Sequence, residues 1–206
     1  MIYISFDIGV KNLAVCILDH TDDNLSIIDW NVICLADSKK QLKGANAVAE
    51  VLFHELDNLI GKLQEIGIHY YDKVFIENQP SNLNGIMKTI QYLIFSYFDL
   101  LRHWDKTVGE VILINPSLKL QNHPYVPERQ NDQKLSRREK YKYNKMHSIE
   151  ICKQYVKDCD ILCKYFSSHK KKDDLADSCL QAVSYIRKSG VDANVLTLNA
   201  KNFIIQ

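Results

Sequence analysis

Glycine and proline are scarce in this chain, with Gly 7 and Pro 4 in 206 residues. That excludes collagen-like repeats and Pro-rich linkers. No apolar run approaches the ~18–20 residues of a membrane-spanning helix, so no membrane partner is expected. Neither charge dominates. Lys+Arg 26 against Asp+Glu 25 excludes a uniformly cationic coat protein, while a local basic face stays open. Near Met1 there is no basic segment followed by a cleavable apolar stretch, and no Arg-rich, acid-free presequence. An intracellular, unprocessed protein without mitochondrial import is therefore expected. Its six cysteines are then expected to be reduced. Cys152, Cys159 and Cys163 fall on helical spacing, which favours a buried face. Cys159 and Cys163 with His169 lack the compact paired spacing of a zinc site. What the chain does hold is ordinary globular material, 46% hydrophobic and 25% charged. It is long enough for one substantial core, and a single domain over 1–206 is expected.

Two apolar or alternating runs, Met1–Ile8 and Asn12–Asp19, flank Gly9-Val10-Lys11-Asn12, which reads as a tight hairpin connection. A third strand, Leu25–Leu35, completes an antiparallel meander. From Ala45 to Ile66 the period changes: Val48, Leu52, Leu56, Leu59, Ile60 and Leu63 form a helical stripe. Val74–Glu77 is a short strand, Ile86–Trp104 a long helix, and Val111–Asn115 a strand stopped by Pro116. The polar, basic stretch 121–144 contains Pro124 and Pro127 and reads as a mobile loop. Helices follow at Lys145–Lys157 and Asp174–Lys188. The order β-β-β-α-β-α-β, then helices, predicts an α/β fold: a five-stranded mixed sheet flanked by helices on both faces.

Carboxylates stand at unusual places in this pattern. By the two-residue period, Ile2, Ile4, Phe6 and Ile8 point one way from the first strand, and Tyr3, Ser5 and Asp7 the other. Glu77 ends a second core strand, although Glu is depleted in strands. Taken singly, Asp7 reads most simply as an exposed strand-end acid or a turn residue leading into Gly9, and Glu77 as a structural residue. Asp174 and Asp177 are three apart and share one helical face, with Asp173 about 100° off it. Asp173 and Asp174 suit the start of a helix, where they complement the dipole. Asp177 lies a turn inside and has no such explanation. Acids gathered from three elements would repel one another, and a hard divalent cation is the natural remedy.

These residues resemble a known family. Phe6-Asp7-Ile8-Gly9 with Lys11-Asn12, then Phe75-Ile76-Glu77-Asn78-Gln79-Pro80, then Lys172-Asp173-Asp174-Leu175-Ala176-Asp177-Ser178 stand in the order of the RuvC-like Holliday junction resolvases. The likeness is to the poxvirus type and its relatives in other large DNA viruses and yeast mitochondria. Asn115-Pro116 and Met87-Lys88-Thr89-Ile90-Gln91 share in it. The resemblance implies an RNase H-like fold in which Asp7, Glu77, Asp174 and Asp177 bind two Mg²⁺ ions, with Mn²⁺ as the other candidate. It likens Lys145 to a catalytically important lysine of the viral members. It also implies a homodimer acting on four-way DNA junctions, and a viral replication site in the host cytoplasm. Two departures stand out: a longer basic loop, and Asn78 where the family pattern has Arg.

The basic residues fit the same substrate. Arg129, Lys134, Arg137, Arg138, Lys140, Lys142 and Lys145 interleave with Tyr141 and Tyr143, and Lys170-Lys171-Lys172 precede the acidic helix. Lysines and arginines beside a metal site hold phosphates by backbone shape rather than base sequence. The expected DNA contacts are Lys11, Asn12, Gln79, Ser81, Arg137, Arg138, Lys140, Lys142, Lys171 and Lys172. His123, His147 and His169 read as incidental. The helix 86–104 is apolar nearly all round, so its outer face needs a cover, such as a second subunit. Three other readings stand beside the nuclease. One is an RNase H-like nuclease acting on structured RNA. Another is a sugar-kinase-like or actin-like ATPase, which length and the lack of a second Gly-rich loop oppose. The third is a non-catalytic binder of branched DNA.

Overall fold

A computed structural model of the chain describes residues 1–21, 24–38, 40–80, 85–125, 136–191 and 195–198. β1 (Ile2–Asp7), β2 (Leu13–Thr21) and β3 (Asn24–Ile33) form the expected antiparallel meander. After α1 (Gly44–Glu65), β4 (Tyr71–Glu77) returns parallel to β1. After α2 (Gly85–His103), β5 (Val108–Ile114) lies parallel to β4. A short 3₁₀ turn, Pro116–Leu120, leaves β5. Then come α3 (Arg137–Val156), α4 (Asp160–Ser168), α5 (Lys172–Lys188) and β6 (Leu196–Leu198). The sheet order is β5-β4-β1-β2-β3-β6.

The sheet separates two cores. Ile4 and Phe6 of β1 pack with Val74 and Ile76 of β4 against α1 and α2. The buried residues of α1 are the six of its sequence stripe. On the other face, Tyr3 and Phe75 pack against α3, α4 and α5. Asp7 belongs by alternation to this second face. It is buried, not the exposed strand-end acid that it suggests when read alone. Among the described residues no helix is long and apolar enough to cross a membrane.

Three expectations need correction. The sheet has six strands, because Leu196–Leu198 pairs in parallel with Leu25–Ile27 at the far edge. Three residues carry too little pattern to be read as a strand. The stretch 121–144 is not one loop. Helix α3 starts at Arg137, behind a capping box in which Ser136 and Glu139 each accept from the other's backbone N–H. Ser136-x-x-Glu139 is a start signal, and it outweighs the missing apolar stripe. Residues 126–135 of that stretch lie outside the described ones. Finally, α4 separates the cysteines: Cys159 precedes it, Cys163 lies within it, and Cys152 is buried on α3.

Gly9 shows why the first turn has this sequence. A Cβ there would stand 2.2 Å from the carbonyl oxygen of Asn12. Asp7-x-Gly9 is therefore a tight turn closed on its own backbone, not a cradle open to a phosphate. Gly9→Ala is expected to destabilise the fold by about 1–3 kcal/mol, the cost of overpacking. Gly61→Ala, in α1 with nothing within 4 Å of its Cβ position, should be neutral or mildly stabilising. Urea unfolding midpoints of the two variants check the contrast.

Candidate active site

The carboxyl ends of parallel strands are the usual place for a site in such a sheet. β1, β4 and β5 all point the same way and end together. Phe6 pairs with Ile76, so Asp7 and Glu77 follow at the same level on neighbouring strands. Glu77 pairs with Ile114, after which the chain enters the 3₁₀ turn that carries Lys119. α5 crosses above. Trp30 Nε1 donates to the Leu175 carbonyl at 2.9 Å, and Gln181 Nε2 donates to Ser5 Oγ at 3.2 Å. These bonds hold Asp174 and Asp177 over the strand ends. All four acids line one cleft of about 640 Å³, together with Lys119 and Lys145.

Lys119 was not singled out by sequence, yet it occupies the middle of the cluster. Its Nζ lies 2.5 Å from Asp177 Oδ2, 3.3 Å from Glu77 Oε1 and 3.6 Å from Asp7 Oδ1. Burial works against its charge, but Asp7, Asp177 and Glu77 overcome burial and hold its pKa above the ordinary lysine value. The acids feel the converse. Burial pushes Asp7 well up, and Glu77 and Asp177 push it further against the pull of Lys119. Burial raises Asp177 also, with Lys119 opposing. Asp174 is raised by burial and by Asp173. Lys145 and Lys171 oppose the rise at Asp174, while Asp7, Glu77 and Asp177 share the Lys119 ammonium among them.

The oxygens themselves report the shortfall. Asp174 Oδ2 and Asp177 Oδ1 are buried without a hydrogen-bond partner. Buried carboxylate oxygens that accept no hydrogen bond are costly. Among the described residues no three His, Cys, Asp or Glu side chains are already closed into a ligand set. The cleft thus has oxygen donors in excess of the cation that it holds. That donor chemistry fits a hard divalent ion.

Comparisons with known proteins agree with this geometry. The family model described as "Poxvirus A22 protein" matches residues 1–189. The chain belongs to that family. A mimivirus protein of Acanthamoeba polyphaga mimivirus, described as "Uncharacterized protein L451", is 36% identical over 138 residues, which is 63% of this chain and 33% of that protein. The chain thus spans about a third of the length of the curated relative it matches. Among solved structures, the yeast mitochondrial Holliday junction resolvase Ydc2 is similar with a TM-score of 0.60 at 15% identity, covering 91% of this chain and 80% of that one. The fowlpox virus resolvase in complex with substrate Holliday junction DNA is similar with a TM-score of 0.59 at 20% identity, covering 92% and 99%. These likenesses show the RuvC-like, RNase H-like fold expected from the sequence.

Around the acids, the strand-end motif is pinned from the side. Gln79 Nε2 donates to Glu77 Oε2 at 2.6 Å, and its backbone N–H donates to Gln91 Oε1 at 2.7 Å. Lys88 Nζ donates to the Gln79 carbonyl at 2.7 Å and to Asn78 Oδ1 at 3.1 Å. Gln91 is fully buried on α2, and a buried Gln in an apolar helix is the signal that could have marked this support.

Lys145 is at the rim of the cleft, but its ammonium pairs with Asp173, the acid off the shared face, not with the four clustered acids. Burial opposes its charge, and Asp173 with Tyr141 raises its pKa nonetheless. Asp173 is lowered by the same pair, against its own burial. Of the expected DNA contacts, Gln79 and Lys140 line the cleft. Arg138 and Lys142 are exposed on the first turns of α3, where Tyr141 and Tyr143 are exposed too. Lys171 Nζ lies 3.9 Å from Asp174 Oδ2, and Lys172 Nζ donates to the His169 carbonyl at 2.9 Å. Lys11 and Asn12 do not line the cleft: Lys11 Nζ is 3.9 Å from Asp37, and Asn12 backs Gly9. Ser81 and the Arg137 side chain lie outside the described residues.

Proposed function

We propose that this protein is a divalent-metal-dependent endonuclease that resolves four-way DNA junctions by paired, symmetric nicks. The observation that carries the reading is the meeting of four carboxylates from two strand ends and one helix in a single cleft that also includes Lys119, Lys140 and Lys145. Asp7, Glu77, Asp174 and Asp177 would hold two Mg²⁺ or Mn²⁺ ions, which supply charge neutralisation at the attacking and leaving oxygens of a phosphodiester displacement. Glu77 is oriented for this by Gln79, in the manner of the outer partners that fix ligating groups. Lys119, fixed among the acids, presents a positive charge where a non-bridging phosphate oxygen would develop negative charge. Lys145 waits at the rim on Asp173. The exposed Arg138, Lys140 and Lys142 of α3 hold neighbouring phosphates. The reaction leaves 5′-phosphate and 3′-hydroxyl ends.

Two nicks call for two such clefts. The outer side of α2 exposes Tyr92 and, two turns on, Leu100, with Trp104 just beyond its end. A second copy covering this stripe would place two clefts about a two-fold axis, matching the symmetry of the junction. On this reading the substrates are branched intermediates of viral genome replication in the host cell.

A synthetic junction, incubated with and without Mg²⁺ and with ends mapped on all four strands, tests the reading. Symmetric nicks on opposing strands, bearing 5′-phosphates and dependent on the ion, are expected. Cleavage of structured RNA alone would move the protein to the RNase H-like alternative. Tight junction binding with no nicks under either ion would leave only a branched-DNA binder.

A further inference from the structure

A long lysine side chain can aim its charge only as well as its backbone is held. Its free stem has many rotamers to choose among. Lys119 sits on a five-residue 3₁₀ turn, an element too short to be rigid by itself. Yet three carbonyls of the turn and the residues just after it are each held by a side chain. Ser184 Oγ donates to the Gln121 carbonyl at 3.0 Å, and Arg187 Nε donates to the Asn122 carbonyl at 2.5 Å, both from α5. The third is the carbonyl of Lys119 itself, 2.9 Å from His123 Nε2.

His123 is buried, and every contact of its ring is spoken for. Nδ1 lies 2.9 Å from Tyr155 Oη on α3, and Nε2 also lies 2.8 Å from Ser184 Oγ on α5. One arrangement satisfies all of these groups. Nε2–H donates to the Lys119 carbonyl and is shared with Ser184, whose own proton goes to Gln121. Nδ1 accepts from the Tyr155 hydroxyl. Asn122 makes the geometry reachable: its φ of 62° turns the chain back so that residue 123 meets residue 119. Burial pushes the His123 pKa down to about 4, so the ring is neutral and has one N–H to give.

We infer that His123 is a positioning residue, which locks the Lys119 backbone to α3 and α5 and thereby aims the Lys119 ammonium at Asp7, Glu77 and Asp177. The same ring joins the three elements that carry Lys119, Lys145 and the Asp174–Asp177 pair. Sequence reading passes over it as incidental, because nothing in its neighbourhood announces a partner 32 residues away. The inference rests on the nuclease reading above and deepens it.

The test is a double-mutant cycle on junction cleavage under single-turnover conditions, with junction affinity and thermal unfolding measured alongside. His123→Ala is expected to slow cleavage about 10- to 100-fold, the cost of a group displaced by an ångström or so. Junction affinity should stay within about twofold of wild type. His123→Gln, whose amide can donate to the Lys119 carbonyl, should regain most of the loss. On a Lys119→Ala background, His123→Ala should add less than about twofold, because the two act as a unit. Equal loss on both backgrounds would overturn the inference, showing general loosening in place of aim. Wild-type cleavage by His123→Ala would overturn it too. If His123→Ala does not fold, Tyr155→Phe, which removes one hydroxyl from the ring's other side, takes its place in the same cycle with the same expected outcomes. Failure of the wild-type protein to cut a junction under any divalent ion would instead remove the nuclease reading itself.

Discussion

Asp177→Asn is expected to lower the junction-cleavage rate at least ~10³-fold while leaving junction affinity within about twofold of wild type. Loss of one carboxylate from a two-ion site forfeits several kcal/mol of charge stabilisation, and each ~1.4 kcal/mol is a factor of ten. On the proposed reading the phosphate contacts come from the basic residues of α3 and do not depend on Asp177, so binding should persist. Stability should move the other way. The pKa of Asp177 is raised in the fold, by burial first, despite Lys119 at 2.5 Å. A raised carboxyl pKa means that the folded state keeps its proton longer than the unfolded chain. Stability is then intact below the ordinary carboxylate value and is lost as pH rises through the raised one. An asparagine never ionises and escapes that loss. Without divalent ions, the variant should therefore melt at or above the wild-type temperature near neutral pH, with the difference vanishing below about pH 4. With Mg²⁺ the order should reverse, because only the wild type gains fully from the ion. Melting curves over pH and Mg²⁺ concentration, beside cleavage rates, check all three statements. Full cleavage by Asp177→Asn would reject the assignment of this cleft.

How far the sequence carries is clearest residue by residue. Asp7 and Glu77 were legible because an acid at the end of an apolar strand breaks a local rule, and the register then sets them side by side. Asp177 was legible because it stands a turn inside a helix, beyond the reach of a cap. The six-residue stripe of α1 was legible because its period is unbroken. Lys119 was not, since a lysine after a strand-ending proline looks like any solvated turn. Its meaning comes from Glu77, Asp177 and Asp7, which lie far from it in the chain, a coincidence of three dimensions only. His123 was hidden for the same reason. The start of α3 was misjudged because its first turns, Arg138 to Asn144, are exposed and leave no apolar stripe to read. There the helix rests on its capping box and on the Lys145–Tyr141 stacking one turn apart, with Nζ 5.0 Å from the ring centre.

Lys119→Met is expected to destabilise the divalent-free protein by about 3–5 kcal/mol, the range for removing one partner of a buried ion pair. The side chain is only 17% exposed, so little water screens its contacts. Part of the loss is recovered by protonation, because Lys119 is what holds Asp7 and Asp177 down against burial. With it gone, their pKa values rise further. The destabilisation should accordingly be greatest above those raised values and fade as pH falls below about 4, where the acids are protonated in both states. Divalent ions supply the second discriminating measurement. In the wild type an incoming cation shares the carboxylates with the ammonium, whereas in the variant it has them alone. Mg²⁺ should therefore raise the melting temperature of Lys119→Met by more than that of wild type, following the logarithmic dependence on ion concentration. Cleavage should nevertheless fall about 10²–10³-fold, because an ion held by the acids does not replace a charge aimed at the phosphate. A variant that melts as the wild type does, gains no more from Mg²⁺ and cuts at the same rate would reduce Lys119 to a bystander. The acids would then have to be balanced by something other than the cation at their centre.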